Sequence, residues 1–234
     1  MWSDDAQPIV LVHGAWVGEW SWLPVLPLLA ESGRAVHNVS LTGQGVRRHL
    51  SSPNLRLSDH VDDVVELVQG LDLGRVTLVG HSYGGRVITQ AACEIENRLE
   101  AMVFLDAHAP IAPDVAQNDE RIAMAEANGG MLPFHGYSFD PTIAGGEDGV
   151  RWCLERTVAQ PFGCLTDQWQ ASLPPAVSKT YIYAAGEGTT RFTDYAEVAR
   201  TDPDWRYIEL PGPHFLMLSH PAEVAEAILS AAAG

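Results

Sequence analysis

No run of apolar residues in this 234-residue chain approaches the ~20 that a bilayer-spanning helix needs. Cysteine is scarce and unpatterned: Cys93, Cys153 and Cys164 are odd in number and far apart, which favours neither a disulfide framework nor a thiolate zinc site. Positive charge is also short, since 14 Lys and Arg against 30 Asp and Glu leave a net charge of −16. A nucleic-acid binder must neutralise phosphates with clustered cations, so that partner class is excluded, and anionic membrane surfaces are disfavoured with it. The opening "MWSDDAQPIVLVHG" carries acids where a signal peptide carries Lys or Arg, and together with reduced thiols it leads us to expect a cytoplasmic protein. What remains, at 46% hydrophobic and 19% charged residues, is the composition of a globular chain with a full-sized core, here expected to be one domain over residues 1–234.

Strand and helix patterns alternate along the chain. Ile9–Val12 and Arg34–Val39 read as strands, as do "RVTLVG", "AMVFLDA", "TYIYAA" and "RYIEL". Between them, 22–31 reads as a helix interrupted by Pro24 and Pro27. Ser58 is expected to cap a helix that places Val61, Val64, Val65 and Val68 on one face. Further helices are expected from Gly84 to about Ile95 and from Pro221 onward. This alternation predicts an α/β fold with a mostly parallel sheet covered on both faces, its site beyond the carboxyl ends of the strands. From approximately 110 to 175 the rhythm breaks into helical pieces, "DERIAMAEA" and "EDGVRWCLERTV", with no obvious strand. That segment is expected to be a cap inserted over the strand ends.

One corner carries chemistry. In "VTLVGHSYGGRVI" a buried strand breaks into Gly80-His81-Ser82-Tyr83-Gly84 before turning helical, which matches GxSxG, where small neighbours let a serine project at a sharp strand-to-helix turn. A serine hydroxyl is a weak nucleophile at neutral pH and needs a base, an acid to orient that base, and donors for the oxyanion. His214, in the loop after the last strand, is the expected base. His220 belongs to the final helix, and His81 and His13 adjoin backbone turns where packing roles are expected. The oxyanion donors are expected at the N–H of Tyr83, next after the serine, and of Ala15, where Gly14 lets the chain turn.

Five stretches, "LVHGAWVGEWSW", "LTGQGVRRHL", "LVGHSYGGRVI", "VFLDAHAP" and "TDPDWRYIELPGPH", together resemble serine α/β-hydrolases related to plant hydroxynitrile lyases and methyl-ester esterases, especially their bacterial esterase-like members. The likeness spans nearly the whole chain outside the insertion. It implies an α/β-hydrolase fold with a small helical cap, a Ser-His-acid triad without cofactor or metal, and a small carboxylic ester, thioester or lactone as substrate. Hydroxynitrile lyases of this group carry a threonine after the first-strand histidine and a lysine after the catalytic histidine. Gly14 and Phe215 stand there instead, so hydrolysis is expected over cyanohydrin cleavage. Ser82 likewise argues against epoxide hydrolases and haloalkane dehalogenases, which use an Asp at the elbow. The alternative is a non-hydrolytic member of the fold, a lyase, cyclase or small-molecule binder.

The acid is where the pattern departs. Many relatives place an Asp after the strand corresponding to "TYIYAA", but that loop offers Glu187, with Asp194 farther on. Asp106, ending the otherwise apolar "VFLDA", is preferred, because an acid there is costly to bury unless paired, and His214 is a ready partner. Trp16, Phe134, Tyr137 and Trp152 are the expected substrate wall; Phe139, Phe162 and Trp169 are further cap aromatics suited to the same role or to packing. His108 and His135 show no metal-ligand spacing.

Overall fold

The computed structural model describes residues 7–112, 117–169, 173–174, 176–187 and 191–233. Six parallel strands make the main sheet: β1 (Ile9–Val12), β2 (Val36–Val39), β3 (Val76–His81), β4 (Leu99–Leu105), β7 (Ser178–Ala184) and β8 (Arg206–Leu210). Two short strands between β4 and β7, β5 (Met131–Leu132) and β6 (Gln160–Pro161), pair antiparallel in a separate sheet. The helices are α1 (Leu26–Ala30), α2 (Leu57–Gly70), α3 (Gly84–Ala92), α4 (Asp119–Ala127), α5 (Gly146–Leu154), α6 (Phe162–Thr166), α7 (Thr193–Thr201), α8 (Leu216–Ser219) and α9 (Pro221–Ala232).

The central strands β1, β3 and β4 are buried on both faces along most of their length, and their alternation divides the core in two. Val10, Val12, Leu78, Met102, Phe104 and Tyr181 face one cluster with the apolar stripes of α2 and α3. Ile9, Leu11, Val79, Val103, Leu105 and Ile182 face the other, with Trp22, α1 and α9. Period-two strands of branched side chains between amphipathic helices can form only such a three-layer arrangement. The strand order β2-β1-β3-β4-β7-β8 reverses direction at β1. A crevice therefore opens beyond the carboxyl ends of β1 and β3.

Several local expectations are corrected. The helix expected at 22–31 is a 3₁₀ turn, Glu19–Trp22, followed by the short α1, since Pro24 and Pro27 remove backbone donors. Ser58 is not the cap of α2: the helix begins at Leu57, the Arg56 N–H donates to the Asp59 carboxylate at 2.7 Å, and the Leu57 N–H donates to Asp167 at 3.0 Å. Helix α3 ends at Ala92, short of Ile95. The inserted segment does hold strand structure, but β5 and β6 are two residues each, too short for periodicity to show.

The first turn of α3 is crowded by backbone. A Cβ on Gly85 would lie 2.0 Å from the His108 carbonyl oxygen, whereas one on Gly70 at the end of α2 would meet nothing within 4 Å. Gly85→Ala is expected to lower the urea midpoint by about 1–3 kcal/mol of stability or more, while Gly70→Ala should hold or raise it by up to about 1 kcal/mol. Equal tolerance of both changes would contradict this packing.

Candidate active site

Among the described residues, three of the six non-glycine residues with positive φ lie past the ends of neighbouring strands: Trp16 (φ 64°) after β1, Ser82 (φ 53°) after β3 and Asp106 (φ 41°) after β4. Such backbone costs of order 1–3 kcal/mol per residue and persists where the surroundings over-determine it, commonly at functional sites. Here it turns three chain segments toward one crevice.

Ser82 is held at its corner by a backbone lattice. Its N–H donates to the Leu105 carbonyl at 3.2 Å, and its own carbonyl accepts from Gly85 and His108 N–H groups at 3.1 Å each. The flanking glycines are required for this close fit: a Cβ on Gly80 would lie 2.7 Å from the Gly84 oxygen, and one on Gly84 would lie 2.7 Å from the Val12 oxygen. Ser82 is buried, at 6% exposure.

Asp106 and His214 come together from positions 108 residues apart, His214 Nδ1 lying 2.6 Å from Asp106 Oδ2, with both groups buried. The Ala184 N–H also donates to Asp106, at 3.4 Å. Burial pushes the Asp106 carboxyl well above the usual carboxylate range, and Ala184 works the other way. Burial, aided by the Arg191 charge, lowers the His214 imidazole to about 3. Each shift disfavours charge on one group alone, and a single proton along the short contact serves both. With that proton on Nδ1, Nε2 is a bare acceptor.

The imidazole is oriented by more than its acid. Phe192 stacks on it at 5.3 Å and 7°, and Tyr137 at 4.5 Å and 22°. His81, the residue before Ser82, donates from Nε2 to the His214 carbonyl at 3.0 Å, and the two rings lie 4.5 Å apart. The elbow and the His214 loop are thereby tied, although no hydrogen bond joins Ser82 Oγ to His214 Nε2.

Ala15 follows Gly14, and a Cβ on Gly14 would lie 2.9 Å from His81 Nδ1 and 3.0 Å from Ser82 Cβ, so this loop lies directly against the elbow. His13 staples it: Nδ1 donates to the Gly14 carbonyl at 2.8 Å while Nε2 accepts the Leu41 N–H at 3.2 Å. Tyr83 stands at the start of α3, where backbone N–H groups have no acceptor within the helix. Its phenol donates to His60 Nδ1 at 2.9 Å, and His60 Nε2 donates to the Thr42 carbonyl at 2.9 Å. His81 and His13 are fully buried, as expected of packing residues, and their hydrogen bonds also tie the His214 carbonyl and the Gly14 loop to the elbow.

Trp16, Phe134 and Tyr137 gather beside His214. The Trp16 indole N–H donates to the Leu132 carbonyl at 2.8 Å, and its ring meets Phe134 at 6.0 Å and Tyr137 at 5.9 Å. Trp152 does not join them. It is 38% exposed on helix α5, edge-on to Trp20 at 5.4 Å and 3.9 Å from the Arg156 guanidinium, and lines an apolar cavity with Trp20, Ile143 and Cys153. Phe139 packs on Phe215 at 4.6 Å, and Trp169 lies under Arg86, 5.6 Å away. His135 bonds the Pro133 carbonyl and His108 the Tyr195 hydroxyl. Among the described residues no cluster of three or more His, Cys, Asp or Glu side chains could hold a metal ion. Glu187 belongs to the 3₁₀ turn after β7, and its side chain lies outside what is described.

A family model described as "Alpha/beta hydrolase family" matches residues 9–227. The chain belongs to the alpha/beta hydrolase family. As an α/β-hydrolase it is 32% identical over 238 residues to the "Carbendazim hydrolyzing esterase" of Nocardioides sp. (strain SG-4G), covering 93% of this chain and 96% of that protein. It is 35% identical over 107 residues to "Salicylic acid-binding protein 2" of Nicotiana tabacum, covering 45% of this chain and 41% of that one. Among solved structures, an extracellular alpha/beta-hydrolase from a Paenibacillus species superposes with a TM-score of 0.79 at 21% identity, covering 96% of this chain and 98% of that one. The pyrethroid hydrolase PytH superposes at 0.74 and 20%, over 98% of both chains. These structures share the α/β-hydrolase fold with this chain. Among the described residues no helix is long and apolar enough to cross a membrane.

Two predictions follow from the site's electrostatics. Asp106→Asn should cut kcat on an ester by about 10³–10⁴-fold by favouring the wrong imidazole tautomer, and Glu187→Gln should not; steady-state rates of the two variants decide, and the reverse ranking would reassign the acid. Burial also lowers the imidazoles of His13 (to about 4), His60 and His81. Because these and His214 stay neutral when folded but protonate near pH 6.5 when unfolded, the unfolded chain binds more protons. Each contributes up to about 1.4 kcal/mol of stability per pH unit that is lost as pH falls below about 6.5, with Asp106 alone among the site groups opposing. Urea midpoints in high salt should therefore fall between about pH 7.5 and about pH 5.5; a rise would refute the buried neutral state of these groups.

Proposed function

We propose that this α/β-hydrolase cleaves a small carboxylic ester, thioester or lactone through an acyl-enzyme. Ser82 Oγ attacks the carbonyl carbon, His214 Nε2 takes its proton and returns it to the leaving group, and Asp106 holds the imidazole through Nδ1. The oxyanion is received by the Ala15 and Tyr83 N–H groups, from two segments that the Gly14 contact brings together. Water activated by His214 then releases the acid. Trp16, Phe134 and Tyr137 line the acyl side, and the segment from approximately 110 to 175 serves as the cap of a single domain. No cofactor is needed for this chemistry. Three free thiols, two of them buried, support a reducing compartment such as the cytoplasm.

The observation that carries the reading is the buried 2.6 Å contact between Asp106 and His214, whose carbonyl is bonded by His81, the residue before Ser82. The full-length similarity to an esterase supports it. A fluorophosphonate probe should label the wild type and not Ser82→Ala, and p-nitrophenyl acetate turnover should fall at least ~10³-fold in that variant. If the wild type is neither labelled nor active on short esters, the acyl-transfer mechanism is wrong and a lyase, cyclase or binding role takes its place.

A further inference from the structure

Arg86 shows how a buried arginine is accommodated by backbone carbonyls. Arg86, 4% exposed, donates through Nη1 to the carbonyls of Leu165 at 2.7 Å and Cys164 at 3.3 Å. Surface arginines find carboxylates: Arg47 with Asp63, Arg75 with Glu100, Arg98 with Asp72. Arg121, on cap helix α4, differs from both groups. It is 7% exposed, its Nε is buried without a hydrogen-bond partner, and among the described residues no carboxylate pairs with it. The guanidinium lies 5.4 Å from the Trp16 ring centroid, on the same ring that packs against Tyr137. Arg191, between β7 and α7, also has a buried Nε without a partner. Its charge acts on the Tyr137 phenol, on Arg121 and on His214.

Two cations thus act on the tyrosine that stacks on His214, and among the described residues no carboxylate forms an ion pair with Arg121. Burial and mutual repulsion lower Arg121 to about 10. A desolvated guanidinium without an anion is costly, and a planar fork with open donors suits a carboxylate. We propose that Arg121 and Arg191, with the Tyr137 hydroxyl, form an anion subsite beside His214, and that the substrate is an ester carrying a second, free carboxylate. This rests on the ester-hydrolase reading for the scissile bond, but not for the binding of the carboxylate. Hydrolysis of such a half-ester yields a dicarboxylate, which the same arginines hold as product, so a dicarboxylate inhibits competitively.

The test pairs turnover with binding. Monomethyl esters of straight-chain dicarboxylic acids from succinate to adipate are compared with the corresponding dimethyl esters, and calorimetry measures binding of the free dicarboxylates. The wild type should favour the best half-ester by about ten- to hundredfold in kcat/KM, through KM. Arg121→Gln and Arg191→Gln should each remove most of that preference, and Arg→Lys at either position should restore part of it. Dicarboxylate binding should weaken in parallel. Arginine-dependent dicarboxylate binding without turnover of any ester keeps the subsite and removes the esterase reading. Turnover that favours the neutral diester, or dicarboxylate binding indifferent to both Gln variants, overturns the subsite and leaves the esterase reading intact.

Discussion

A carboxyl group with no solvent exposure at the end of an apolar strand is tolerated only where a donor meets it, and His214 meets Asp106. That contact joins the end of β4 to a loop past β8, across β7, and it dictates the geometry of everything around it. The His214 loop must reach over the sheet edge, which its carbonyl's bond to His81 secures. The imidazole plane must stay fixed, which the stacked Phe192 and Tyr137 rings secure. The strand ends must turn sharply into the same crevice, and Trp16, Ser82 and Asp106 accept positive φ to do so. Strain at three neighbouring strand ends is offset by the two large cores that the sheet buries on its faces.

The parts legible in the sequence are those whose physical cause is local or strictly periodic. The near-continuous apolar runs "VTLV" and "AMVFL" dictate doubly buried strands, and glycines crowded around one serine dictate an elbow. Asp106 was readable because a charge ending an apolar strand demands a partner. Less was legible where the cause is long-range. Ser58 has the right chemistry for a cap, yet Asp59 and the distant Asp167 take the first donors of α2. The aromatic residues of the insertion carry no mark of which neighbours they meet: Trp152 on α5 packs on Trp20, while Phe134 and Tyr137, between β5 and β6, pack on Trp16. Arg121 and Arg191 were invisible, since each stands in an unremarkable polar stretch and their significance lies only in meeting.

The charge distribution gains meaning from that meeting. A net charge of −16 predicts slow encounter with anions at long range. The buried Arg121 guanidinium, with the charge of Arg191 acting on it, works at short range, while distant surface acids are screened by solvent. The chain can therefore disfavour anions in general while retaining one that fits the pocket. Selectivity of this kind comes from unpaired donors rather than from shape, because an analogue lacking the anionic group leaves those donors unsatisfied.

The same reasoning explains why so many imidazoles surround a site that uses one. His13 and His81 each give a proton to a backbone carbonyl, of Gly14 and His214 respectively, and His60 gives one to the Thr42 carbonyl. A carbonyl can only accept, so each bond selects a single neutral tautomer and leaves the opposite ring nitrogen as an acceptor. For His13 that acceptor takes the Leu41 N–H, and for His60 it takes the Tyr83 hydroxyl. Burial keeps all three uncharged, with desolvation the largest cause in each case. A lysine or arginine in these places would bring a fixed charge next to His214 and alter its proton affinity. Neutral imidazoles supply directional hydrogen bonds without that field, leaving Arg191 as the charge that acts on the His214 imidazole.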